Sequence, residues 1–111
     1  MNSIDDLLKN SIRQYENLIN VASSLSDNLV SLSPAVILTQ CQQLSALQKK
    51  QRILDDFIIE VIADSGPQVL SSPNIGNYQR ILGKASSLCD AVTVKVKARK
   101  YQLKREINTL E

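Results

Sequence analysis

The side chains that carry most enzyme chemistry are scarce in this 111-residue chain, which has no histidine, two cysteines and three dispersed glycines. Without histidine, acid–base or metal work falls to carboxylates and thiols. The acids occur as two pairs, Asp5/Asp6 and Asp55/Asp56, each within a stretch of helical periodicity that also carries bases, so capping or solvated surface roles are expected of them. Cys41 and Cys89 fall at mainly apolar helical positions with no CxxC spacing, which predicts reduced, buried thiols. Cys89-Asp90 has no base in sequence reach, and the glycines are too far apart to build a phosphate-cradling loop. No catalytic, metal or cofactor site is expected, and the chain reads as a non-enzyme.

The elements carry more information than the reactive groups. Ile75, Leu82, Cys89, Val96, Leu103 and Leu110 recur every seven residues, with Tyr78, Ala85 and Val92 between them, giving one apolar stripe on a long helix over about 75–110. The stripe falters at Arg99 and Glu106 before Ile107 and Leu110 resume it. Val92, Val94 and Val96 also alternate with polar residues in the period of a strand, but a lone strand has no partner here and the helical register runs straight through.

A first helix over about 3–31 is predicted by Ile4, Leu8, Tyr15, Leu18, Ala22, Leu25, Leu29 and Leu32, with Ser3 as its cap and Asp5 and Asp6 in its first turn. Ser11 is a small polar residue within that repeat and predicts looser packing of the first turns. Ser33-Pro34 supplies an N-cap and a first-turn proline for a second helix over about 34–64. Its stripe, Ile37, Gln40, Leu44, Leu47, Gln51, Leu54, Ile58 and Val61, contains two glutamines; they either flank a drifting stripe with their amides in water or bury an amide that sets helix register. Ile53, Phe57 and Ile62 broaden that stripe. Gly66-Pro67 stops the helix, and the chain from Pro67 to Gly76 reads as an ordered loop or short turn across one end of the bundle.

These elements predict one all-α domain over 1–111, an antiparallel three-helix bundle of long amphipathic helices with coiled-coil-like stripes. Leu18, Leu25, Leu44, Leu47, Leu54, Ile58, Leu82 and Cys89 are its expected core. The first two helices, of roughly 29 and 31 residues, span about 45 Å, whereas the third is longer, so its last turns project and a groove for a fourth helix is expected. The low aromatic content of 4% agrees with helices rather than sheets.

Charge is uneven along the chain. Residues 1 to 33 hold two basic and four acidic groups, residues 34 to 66 three and four, and residues 67 to 111 eight and three. Lys95, Lys97, Arg99, Lys100, Lys104 and Arg105 therefore make the third helix a conceivable nucleic-acid contact, beside the plainer reading of a solvated face with cations near a helix C-terminus. The N-terminus has acids where a signal peptide has bases, and no apolar run approaches a membrane span, so a soluble cytoplasmic protein is expected.

From Tyr15 to Ile62 the chain resembles the flagellar export chaperones of the FlgN type. There an amphipathic helix (Tyr15, Leu18, Ile19, Leu25, Leu29) leads through a short polar corner into Leu44-Ser45-Ala46-Leu47-Gln48-Lys49-Lys50-Gln51-Arg52-Ile53-Leu54. The family likewise follows its first helix with a Leu-rich, Lys/Gln-containing segment and a long C-terminal helix, which corresponds here to Ile75 through Leu110. The resemblance implies a helical chaperone for hook-filament junction proteins or another flagellar export substrate, gripping its client through the C-terminal helix. Val92, Val96, Arg99, Lys100, Leu103, Ile107 and Leu110 are the partner-binding residues this reading selects. A helical coiled-coil adaptor or a self-associating structural protein is the alternative from another class, and a nucleic-acid-binding helix a further one.

Overall fold

The computed structural model describes residues 4–110, and their side chains as far as Asn108. Three α-helices, α1 (Ile4–Asn28), α2 (Pro34–Ser65) and α3 (Pro73–Leu110), account for nearly all of it, with short 3-10 turns at Leu29–Ser31 and Pro67–Ser71. The fold is an all-α helical bundle, as the periodicities predict.

Local chemistry explains the corners. At the first, Ser33 Oγ accepts from Val36 N at 3.3 Å and the Ser33 carbonyl from Ile37 N at 3.0 Å, while Pro34 occupies the first turn, where its missing N–H costs nothing. At the second, Gly66 adopts φ +92°, a left-handed conformation that a side chain would strain, and ends α2. The segment expected to be an ordered loop or short turn is a 3-10 turn, Pro67–Ser71, followed at once by α3, which starts two residues earlier than the stripe suggests. Ser72 Oγ accepts from Asn74 N at 3.3 Å and Pro73 stands at the helix start. The expected cap Ser3 lies outside the described residues.

Cross-helix pairs set the directions. Asp5 meets Ser72 and Asn74 near the start of α3, and Lys95 Nζ donates to Ser26 Oγ at 2.8 Å, so α1 and α3 run parallel. Only a short corner separates the end of α1 from the start of α2, yet Ser11 in the first half of α1 meets Gln51 in the second half of α2, so α2 runs against both. The arrangement is up, down, up. α1 packs along both neighbours, whereas α2 and α3 approach each other far less closely. Because Ser26, near the end of α1, lies beside Lys95, the last turns of α3 run past the α1–α2 corner, and the molecule is 63 Å long.

Leu8, Leu18, Ala22, Leu25, Leu44, Ile58, Ala85 and Val92 are buried along the axis, and Cys89 with them. Two expectations are corrected. Leu82 is 37% exposed, because the parting of α2 from α3 uncovers the side of α3 that faces α2. Leu47 and Leu54 are half-buried against the core rather than inside it, and Ile53 and Phe57 stand exposed on the outer side of α2. The valine alternation resolves as a helix: Val92 is 2% exposed and Val94 68%, which a strand, placing them on one face, would not give.

Leu25→Ala should cost roughly 2 to 5 kcal/mol in urea denaturation, because a fully buried leucine leaves a cavity. Leu47→Ala should cost distinctly less, since part of its side chain already meets water. Equal losses at the two positions would contradict this placement of the core.

Candidate functional site

Asp55 is the acid that matters, and its environment is not the solvated one expected of it. It lies half-buried on α2 beneath donors from all three helices. Tyr15 OH from α1 donates to Oδ2, and Tyr78 OH from α3 donates to Oδ1. Ser11 Oγ reaches Oδ1 at 3.4 Å and Gln51 Nε2, one turn back on α2, at 3.2 Å. Gln51 Nε2 also donates to Ser11 Oγ at 2.7 Å, and the two tyrosine rings meet edge to face with centroids 6.2 Å apart. Ser11 is wholly buried, so the small polar residue expected to loosen the first turns instead closes a hydrogen-bond network. Of the two glutamines, Gln51 is the buried amide that sets register; Gln40 is half-buried, with its Oε1 covered and without a hydrogen-bond partner.

Burial foremost, and then the bond to the Asp55 carboxylate, pushes the Tyr15 and Tyr78 phenols well above their ordinary range. Both therefore stay protonated and act as donors. With both carboxylate oxygens accepting, Asp55 ties α1 and α3 to α2. Asp5 plays a lesser version of this part: bonds from Asn74, at 3.1 Å, and Ser72, at 2.9 Å, hold its carboxyl below the ordinary value and tie the start of α1 to that of α3. Among the described residues no cluster of acids and thiols is arranged to hold a metal ion. Cys41, half-buried, and Cys89, buried, are free thiols, each pushed up by desolvation.

Beside this network the parting of α2 from α3 opens a groove of about 380 Å³. Tyr15 and Leu18 form its floor, Gln48, Arg52 and Asp55 one wall, and Leu82, Ser86 and Asp90 part of the other. The predicted partner-binding residues lie elsewhere and divide along α3. Val92 is in the core and Val96 is half-buried against it, so both hold α3 to the bundle. Arg99 is half-buried, its Nη1 donating to Gln102 Oε1 at 3.3 Å and its Nε covered without a partner. Lys100 is exposed, Leu103 half-buried but not among the residues packed on the core, and Ile107 59% exposed. The side chain of Leu110 lies outside the described residues. Of the basic set, Lys97, Lys100 and Lys104 surround Tyr101 at a shallow depression, while Lys95 is engaged with Ser26.

The periodicity did not reveal the Asp55 network because Tyr15 and Tyr78 score as members of apolar stripes. A signal was nevertheless present: Ser11 and Tyr15, and Gln51 and Asp55, are each four residues apart, a turn of polar groups on two facing stripes.

Asp55→Ala removes the common acceptor and should cost roughly 2 to 4 kcal/mol, whereas Tyr15→Phe, losing one bond, should cost about 1 kcal/mol. Urea denaturation checks both, and a loss below about 0.5 kcal/mol for Asp55→Ala would remove the network from the account of stability.

A pH dependence follows as well. Both phenols titrate higher folded than unfolded, so their stabilisation is complete below the unfolded value of about 10 and drains away as pH rises through and beyond it. Melting temperature should fall over that range, and less steeply in Tyr15→Phe/Tyr78→Phe.

Comparison with family models, with curated proteins and with solved structures finds no match to this chain.

Proposed function

We propose that the chain is a non-enzymatic, cytoplasmic flagellar export chaperone. In this reading the projecting end of α3 captures an amphipathic segment of an unassembled client, a hook-filament junction protein or another flagellar export substrate. One observation carries it: α3 continues past the α1–α2 corner, and there Leu103 and Ile107 present apolar surface that the core does not use. A client helix laid on that stripe would bury these side chains, and the neighbouring lysines would select for acidic flanks. No helix of the described residues is long and apolar enough to cross a membrane, which is compatible with this role.

The basic face around Tyr101 favours one other reading, a nucleic-acid contact, because Lys97, Lys100 and Lys104 gather on one side of a helix about an exposed aromatic ring. Salt separates the two. Phosphate binding should weaken steeply between about 50 and 200 mM salt, and a mainly apolar grip should change little.

Leu103→Asp with Ile107→Asp should leave thermal unfolding close to that of the parent chain. Retention of a co-expressed hook-filament junction protein should fall by orders of magnitude, since an unpaired charge in an apolar interface costs several kcal/mol and each ~1.4 kcal/mol is tenfold in affinity. A large loss of melting temperature would assign these residues to the bundle. Unchanged folding with unchanged capture would remove the end of α3 from the client site.

A further inference from the structure

The outer side of α2, turned away from the groove, carries a stripe that the bundle does not use. Ile53, 72% exposed, and Phe57, half exposed, stand one turn apart on it, and Phe57 is the chain's only phenylalanine. Helical spacing continues the stripe to Lys50 and Ala46 in one direction and to Glu60 and Asp64 in the other, all exposed. Lys49, also exposed, stands at its edge. Among the described residues none forms an ion pair with Lys49, Lys50 or Glu60.

We infer that this stripe binds the same stripe of a second copy, the two α2 helices lying side by side and antiparallel. The two-fold axis stands perpendicular to the plane of the helix pair at the level of Asp55, so residues equally far before and after that level lie opposite each other. Ile53 packs on the second copy's Phe57 and Phe57 on its Ile53, and four apolar side chains close around the axis. On either side of this centre Lys50 lies opposite Glu60, and Lys49 flanks the same carboxylate. Ala46 lies opposite Asp64. Asp56 is on the rim, where it faces its own counterpart with the second copy's Lys49 beside it.

The order of the stripe selects a second copy as its occupant. It reads base, apolar pair, acid, so its complement in charge and shape is the same stripe read backwards. Parallel helices would set Lys50 on Lys50 and Glu60 on Glu60. An antiparallel pair slid by a heptad would set Phe57 on Glu60 or on Ala46 and open the apolar centre. Because the stripe lies on the far side of α2 from the core, the pair leaves Leu103 and Ile107 of α3 uncovered, and it does not depend on client capture.

Sedimentation velocity on the purified full chain at about 50 mM salt, where charge is little screened, tests this. The parent chain should sediment as a dimer at about 100 μM. Glu60→Lys, Lys49→Glu/Lys50→Glu and Phe57→Ala should each self-associate at least roughly tenfold more weakly, since a two-fold interface feels every substitution twice. Mixed one to one, Glu60→Lys and Lys49→Glu/Lys50→Glu should form a heterodimer, because every base then faces an acid again; variants that had lost their fold would not recombine. Leu103→Asp/Ile107→Asp should dimerise like the parent chain. A monomeric parent chain, a dimer that the α2 variants do not weaken, charge variants that do not recombine, or a dimer lost in Leu103→Asp/Ile107→Asp would each overturn the inference.

Discussion

A carboxylate half-buried between helices must find donors or carry an unmet cost of desolvation, and Asp55 finds them on every helix of the molecule. Apolar stripes alone allow neighbouring helices to slide by a turn, because one leucine packs much like another. Two tyrosine hydroxyls, a serine and a glutamine amide converging on one carboxyl group do not, since a shift of one turn would leave several of them without partners. The network thus gives the bundle a fixed register at the level of Ser11, Gln51 and Tyr78, and the rest of the packing is hung from that level.

The open face between α2 and α3 lies beside this network. The two tyrosine side chains reach inward to Asp55 from α1 and α3, Tyr78 bridging α3 to α2 across the face where those two helices otherwise part, while α1 packs along both. Above the level of the network this leaves a groove floored by Tyr15 and Leu18, with Leu82 at its side. The parted helices leave polar side chains, Gln48 and Arg52 on one wall and Ser86 and Asp90 on the other, facing the groove.

The third helix does two things along its length. As far as Val96 its stripe is used by α1, and beyond the corner that neighbour has ended and the same periodicity continues without it. Since its first residues are tied to Asp5 and its middle to Ser26, α3 cannot retract to bring Leu103 and Ile107 over the core. Surface that a helix maintains beyond the reach of its own bundle is available to another chain, which is the physical basis of the proposed chaperone role.

Much of this was legible in the residues. Heptad spacing, Ser33-Pro34 and Gly66-Pro67 determine three long helices and two corners, because caps and φ preferences act over a few neighbouring positions and require no knowledge of the fold. The mismatch of helix lengths, and hence a projecting end, follows from the same local signals. Tertiary structure alone decided what the polar groups do: Ser11 and Gln51 look like faults in the stripes of two separate helices, and Asp55 like a surface acid, until they are placed at one level, where each satisfies another. It also decided that Leu82 stands at an open groove and Ile53 and Phe57 face water, because exposure depends on how far apart the neighbouring helices are held. That distance is set by contacts forty residues apart in the chain, as between Tyr15 and Asp55, which no local pattern records.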